Sequence, residues 1–470
     1  MSTDVPTRAG RARKRRGRVF VGTFAVVAGV LAVIGLAGAA ASVAQGPRAT
    51  SVQVDPAAAA AASGSRLIVT TSQSLADVDA SQVTVTPATP FTVDTSGRSV
   101  GVRFTLPLFD DTEYTVTFSG VQGIGGSPAA TLTETFRTPA AEVFVLQRTT
   151  SGDTIYRTDL AGDEALPVFS ADHIEDFRAT SSHLIVSVIA DDVSELIVTD
   201  LDGEDERTLP LPGEGYVSNL QSANRGELIG YTFSDADLGA AGGLESALFT
   251  ASLKETEADA PPTPVAVTGS DDRIAEWRFV PDTDSILLLS FDGSLLLTGS
   301  TGQDATALGA AIAIEGIARG SSEAVVTRFD GMKVIDLADG TETDLVPADV
   351  DLGLRGAITP IPGAGTVRVG VPTDETGLPV GTSVAAVDAD GGTRVIADLP
   401  ANDVVMHTCV SPSGRYAAVT VAPDAVANPY DRYRLPLPGR LESRIIEIAT
   451  GDQVVALSGF DVSWCQVPPG

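Results

Sequence analysis

The sequence predicts an all-β protein behind one apolar N-terminal helix, and three observations carry the prediction. Residues 19–44 form a run of 26 residues without a charge. Residues 65–138 hold short β-branched and aromatic runs separated by turn residues. From about residue 142 to the C terminus, a strand–turn–strand unit recurs seven times.

The apolar run follows a dense basic cluster: Arg8, Arg11, Arg13, Lys14, Arg15, Arg16 and Arg18. At about 1.5 Å per residue, a helix over it would cover roughly 39 Å, against a hydrocarbon core of about 30 Å. Residues 19–44 are therefore expected to be a transmembrane helix. The basic flank, residues 1–18, is expected to stay in the cytoplasm. The 426 residues that follow are then expected outside the cell membrane, as in a single-pass protein. Ser42-Val43-Ala44 also reads as a cleavage site, so a removed signal peptide stays open, although such an apolar region usually runs only about 7–15 residues.

The chain carries a formal charge of −30. Setting aside residues 1–44, with their seven basic residues and Asp4, leaves 24 basic and 60 acidic residues, a net of −36. Such a surface repels phosphate backbones, which argues against nucleic acid as a partner.

Residues 45–64 contain the run Ala57–Ala62 between Pro56 and Ser63-Gly64-Ser65 and read as a linker. Residues 65–139 then alternate in Leu67–Thr71, Val83–Thr86, Val100–Phe104, Tyr114–Phe118 and Leu132–Phe136. Period-two runs this short and this close together predict a β-sandwich. The order "LIVTTSQSLADVDASQVTVTPA", "SVGVRFTLPLFDDTEYTVTFSGVQGIGGSPAA" and "TETFRTP" resembles the bacterial Ig-like domains of the SbsA type. In that family such domains are usually spacers or adhesion modules.

Residues 142–470 repeat at about 45 residues, the length of a four-stranded blade. Outer hairpins recur as "IYRTDLAG" from Ile155, "LIVTDLDGEDERTLPL" from Leu196 and "ALFTASLKE" from Ala247. They continue as "LLLTGSTGQDATAL" from Leu295, "KVIDLADGTETDLV" from Lys333, "VAAVDADGGTRVIADL" from Val384 and "IIEIATGDQVVAL" from Ile445. Inner hairpins such as "FRATSSHLIVSVI", "WRFVPDTDSILLLSF" and "CVSPSGRYAAVTV" precede most of them. A seven-bladed β-propeller is expected, with six or eight blades as alternatives. Its first outer hairpin, Val143–Phe169, lacks an inner partner, and the last residues, "GFDVSWCQVPPG", lack an outer one. One blade built from both ends would remove an exposed sheet edge. "WRFVPDTDSI" and "CVSPSGRYAAV" resemble blades of TolB-like and WD-repeat-like β-propellers. The whole resembles membrane-anchored envelope proteins of the actinobacterial type.

Cys409 and Cys465 each stand five residues before a glycine, at equivalent places on the inner strands of neighbouring blades in such a ring. A disulfide locking the seam is expected, with two buried thiols as the alternative. His173, His183 and His407 show no zinc spacing; His407, two residues before Cys409, is read as facing away from it. No metal site or cofactor is expected. Asp200-Leu-Asp202-Gly203-Glu204-Asp205 and Asp388-Ala-Asp390-Gly391 would suit Ca2+ best, but lack a complete twelve-residue loop and read first as turns. No Gly-x-Ser-x-Gly or nucleophile–base pair is evident, so no catalytic residue is named. Gly123–Gly126 reads as a turn rather than a phosphate loop.

Two segments lengthen the repeat, Ser234–Gly243 and Pro423–Arg440. The second carries Tyr430, Arg432, Tyr433 and Arg434, an aromatic and basic island in an acidic chain. Such groups anchor interfaces, so these four are the expected partner contact. The expectation is a non-enzymatic scaffold or ligand-binding module with an envelope protein or polysaccharide partner. The alternative is a cell-envelope hydrolase or lyase acting on wall glycan.

Overall fold

A computed structural model describes residues 21–35, 45–162, 164–223, 227–239, 242–363 and 365–469. Residues 21–35 are helical. The predicted tail 1–18 and the rest of the predicted span 19–44 lie outside the described residues. No helix among the described residues is long and apolar enough to cross a membrane.

The chain divides into two compact units. The first comprises residues up to Asp55, Ser65–Phe104 and Glu113–Arg137. It holds two antiparallel sheets. One joins β1 (Ala49–Gln53), β2 (Arg66–Thr71), β5 (Ser99–Phe104) and β4 (Phe91–Ser96) in that order; the other joins β3 (Val83–Thr86), β6 (Glu113–Val121) and β7 (Ala130–Arg137). Successive side chains of a strand point to opposite faces, and the sequence uses that alternation. Tyr114, Val116 and Phe118 of β6 are buried. Thr115 and Thr117 between them pair across strands with Thr135 and Thr133 at 3.2 and 3.5 Å. Phe136 of β7 joins the two sheets, its ring 6.2 Å from Phe104 and stacked 5.8 Å from Tyr114.

Two strands were not expected. β1 lies inside the predicted linker, where Thr50 and Val52 alternate with small residues too weakly to be read as a strand; its pairing with β2 decides it. β4 is closed onto β5 by Gly97, whose φ of 59° suits the tight turn. The Ala run is not an extended linker either: Pro56–Ala61 is a short helix with Ala59 fully buried. Alanine has high helix propensity, and Pro is tolerated in a first turn.

The second unit comprises Pro56–Gly64, Thr105–Thr112 and Thr138–Gly470. Among the described residues its antiparallel sheets follow one another along the chain, spanning 142–171, 174–209, 215–264, 274–310, 313–344, 354–400 and 404–458. The first has three strands, β8 (Glu142–Gln147), β9 (Asp153–Asp159) and β10 (Ala165–Ala171); each of the others has four. Apolar side chains from one sheet pack against the next. Leu196 shares a core with Tyr231 and Phe233, Leu248 with Trp277, Leu295 with Val326, and Val384 with Val419. The innermost strand of sheet 313–344 lies against that of sheet 354–400. Phe144 and Leu146 then share a core with Phe177 and Val186, while Val143 shares one with Ile445 and Tyr416. The last sheet therefore reaches the first, which is the arrangement of a β-propeller. Close packing shows at Gly230, where any Cβ would stand 2.6 Å from the buried Trp277 ring.

The C-terminal segment lies along the inner edge of β8. Leu146 and Phe460 exchange both backbone hydrogen bonds at 2.9 Å, and Ser463 N–H donates to Phe144 O at 2.9 Å. The segment makes one bridge rather than a full strand, and two prolines, Pro468 and Pro469, follow it.

Candidate functional site

Cys409 and Cys465 are bonded to each other, their Cα atoms 5.4 Å apart and 56 residues apart in sequence. The bridge ties the last sheet to the C-terminal segment, inside a core with Tyr416 and Trp464, whose rings stack at 6.4 Å. His407 does not face away from Cys409. Residues i and i+2 of a strand share a face, and the imidazole lies within 4.8 Å of both sulfurs. With the sulfurs bonded together, neither is a thiolate able to ligate a metal. Burial, then the positive charges of Arg178 and Arg278, lowers the His407 pKa to about 3, so the ring is neutral.

The insertion 423–440 is where the predicted contact residues lie, and it lines a cleft of about 950 Å³ together with the turn after β8 and the start of the C-terminal segment. The loop is braced internally: Asn428 donates to Pro423 O and Arg440 O and accepts from Arg440 N–H, and the Asp431 carboxylate accepts from the Tyr433 and Leu437 amides. It is held to the sheets by charge. Arg148, at the end of β8, pairs with Asp431 at 3.0 Å and donates to the Glu175 carbonyl at 2.8 Å. The Glu175 carboxylate accepts from the Arg434 amide at 3.0 Å and meets His173 Nε2 at 2.7 Å.

The four predicted residues divide into two kinds. Tyr433 turns inward: its hydroxyl donates to the buried Asp153 carboxylate at 2.8 Å, and the Arg148 guanidinium lies 3.9 Å from its ring centre. Burial, then the Asp153 carboxylate, holds the Tyr433 phenol well above its usual pKa. The Arg434 guanidinium lies 3.3 Å from the ring centre of Tyr216. Tyr430 and Arg432 point outward, Tyr430 with 60% of its surface exposed. The wall of the cleft thus offers an aromatic face and a cation on a braced frame.

A second concentration of charge lies on the inner strands and was not foreseen. Arg178 Nη1 pairs with Asp176 Oδ1 at 3.0 Å and with Asp461 Oδ2 at 2.7 Å, all three side chains being nearly fully buried. Burial outweighs the Arg178 attraction and raises the Asp176 pKa well above the usual carboxylate value, with Asp461 adding to the shift. Burial alone would lower the Arg178 pKa, but the two carboxylates hold it above its usual value. Beside this cluster, Glu276, Arg278, Glu315, Arg319, His407 and Gln466 line a cavity of about 340 Å³. Burial lowers the Arg278 pKa, and lowers that of Arg319 to about 10.

The acidic segments read as turns are turns: Asp200 and Asp388 accept from their own backbone, and Asp202 pairs with Arg157 at 2.7 Å. Asp200 Oδ1 accepts from the Asp202 and Glu204 amides at 2.9 and 2.8 Å; Asp388 Oδ1 accepts from Asp390 and Gly392 at 3.0 and 2.8 Å. His183 stands in a turn, its Nδ1 2.9 Å from the Ser182 hydroxyl.

No protein-family model matches the chain, and no curated protein matches it. Similar solved structures include TolB from Acinetobacter baumannii, with 12% identity and a TM-score of 0.38, the match covering 81% of each chain. The Cps50 (Swd1) β-propeller domain from Myceliophteria thermophila has 12% identity and a TM-score of 0.38, over 62% of this chain and 88% of that one. The WD40 domain of Toxoplasma gondii coronin has 11% identity and a TM-score of 0.38, over 62% of this chain and 70% of that one.

Proposed function

We propose that this protein is a non-enzymatic binding module of the cell envelope, anchored through residues 19–44, with an Ig-like domain spacing a seven-bladed propeller from the membrane. The observation that carries the binding role is the cleft walled by the insertion 423–440, with Tyr430 and Arg432 turned outward on a frame fixed by Arg148, Glu175 and Asp153. Aromatic and arginine groups on a pre-set loop bind with little loss of conformational freedom. An envelope protein or a polysaccharide fits that chemistry; a polyanionic nucleic acid does not fit the strongly acidic remainder.

Proximity labelling on intact cells tests the reading. The wild-type chain is expected to label a reproducible envelope partner, and Tyr430→Ala/Arg432→Glu to reduce that labelling at least tenfold. Equal labelling by the two proteins counts against the cleft, and protection of the C-terminal domains from added protease in intact cells counts against the exported topology. The enzymatic alternative has one observation in its favour, the buried carboxylates Asp176 and Asp461 placed together on Arg178. Their burial beneath Arg178 favours a role in closing the ring over one in turnover.

A further inference from the structure

The antiparallel order of the sheets sends the connections of the second unit to two ends. One end receives the turns between first and second and between third and fourth strands. The other receives the turns between second and third strands and the links from each sheet to the next. At the first end, segments of the same unit are packed on the turns. Arg415 donates to the Asp110 carbonyl at 2.9 Å, and Leu106 lies where side chains at Gly320 and Gly363 would project.

The other end carries exposed apolar side chains instead. Phe291, in the turn between β20 (Ser285–Ser290) and β21 (Ser294–Gly299), is 55% exposed; Ile312, in the link before β23 (Ala313–Ile317), is 50% exposed. Phe329, in the turn between β24 (Glu323–Arg328) and β25 (Gly331–Asp336), is 85% exposed. Backbone hydrogen bonds join the three loops: Ala311 N–H donates to Gly293 O at 2.9 Å and Ile312 N–H to Thr327 O at 2.8 Å. Burial of such side chains is favourable, and clustered exposed apolar groups mark interaction sites.

Charge selects the occupant. Asp292 and Asp330 directly follow the two phenylalanines. The nearby cations are already paired: Arg273, 5.2 Å from the Phe291 ring centre, with Asp271 at 2.8 Å and Glu245 at 3.4 Å, and Lys333 with Asp330 at 3.1 Å and Asp344 at 2.6 Å. The patch is therefore apolar within a surplus of carboxylates. A second copy of a chain with net charge −30 would be repelled, as would an anionic bilayer. We infer that the face bearing Phe291, Ile312 and Phe329 docks a protein segment that presents apolar side chains among Lys and Arg. The insertion 423–440 also joins a second strand to a third, so the cleft at Tyr430 lies at the same end, but it shares no lining residue with this patch, and neither reading depends on the other.

The test titrates the full chain with three labelled 18-residue helical peptides, Leu/Lys, Leu/Glu and Ser/Lys, followed by fluorescence anisotropy. The Leu/Lys peptide is expected to bind at least tenfold more tightly than either other. Phe291→Ser/Phe329→Ser should weaken it at least tenfold, while Tyr430→Ala/Arg432→Glu should change it less than twofold. Both phenylalanines are exposed, and an unchanged thermal unfolding midpoint shows that the fold is kept. The inference is overturned if Leu/Lys binds no better than Ser/Lys, or if the phenylalanine variant binds as wild type. It is equally overturned if sedimentation shows a dimer, or flotation shows binding to anionic vesicles, that the same substitutions abolish.

Discussion

His407 shows what a single side chain contributes through its surroundings. Its pKa is lowered to about 3, first by burial and then by Arg178 and Arg278. In the unfolded chain it would titrate near 6.5. The folded value is the lower one, so the contribution to stability is present above about pH 6.5 and is lost as pH falls toward 3. Between pH 6 and 5 the His407 contribution should fall by up to about 1.4 kcal/mol per pH unit, the value for one proton, while the raised Asp176 pKa acts in the opposite direction and is common to wild type and variant. His407→Phe should remove that slope, read from urea unfolding at a series of pH values. Equal slopes in the two proteins would contradict a neutral buried imidazole. The two-residue spacing of a strand already puts His407 on the face of Cys409; the charges that perturb it were not legible, because they come from strands more than 100 residues away.

At the scale of the element, the insertion 423–440 is a loop whose shape is set from outside. Pro, Gly and Asn could be read along it, but its fixed geometry comes from Arg148, a residue of another sheet. Arg148 is buried, pairs with Asp431 at 3.0 Å and lies against Tyr433 at 3.9 Å. Breaking a buried pair by removing one partner costs about 3–5 kcal/mol. Arg148→Met should therefore lower unfolding stability by roughly 3 kcal/mol, and trypsin should cut after Arg432 or Arg434 at least ten times faster than in wild type under native conditions. A loop cut no faster would mean that its internal hydrogen bonds suffice. The four aromatic and basic residues were legible as an island; that Tyr433 alone of them turns inward, and that the exposed Arg434 lies over Tyr216, was not, since Asp153 and Tyr216 lie more than 200 residues away in sequence.

At the scale of the whole molecule, the seam is the feature to probe. Cys409 and Cys465 close a loop of 56 residues, and Arg178 binds Asp461 across 283. Constraining a loop of that length is worth about 4 kcal/mol in the chain-entropy picture. Cys409→Ser/Cys465→Ser should lower stability by roughly 2–4 kcal/mol, seen as a lower urea midpoint. No change in midpoint would place the closure in the Asp461–Arg178 pair and the Leu146–Phe460 bonds alone. The disulfide could be proposed from sequence because both cysteines occupy the same place in the repeat. Asp176, Arg178 and Asp461 could not, because an acidic chain offers many carboxylates and no local pattern marks the buried ones.

The amino-acid sequence alone determined most of the strands, the turns and their order, because these depend on neighbours: alternation of apolar and polar residues, and Asp and Gly at turns. It also determined the pairing of the cysteines, through the repeat. Tertiary structure decided the rest. It drew Ala49–Gln53 out of the predicted linker and into a sheet, by pairing with a strand more than ten residues away. It brought Arg178 to two carboxylates, neutralised His407, and left Phe291 and Phe329 outside. The surroundings of Arg178 and His407 depend on which segments become neighbours when the ends of the second unit meet, and that contact exists only in the closed ring.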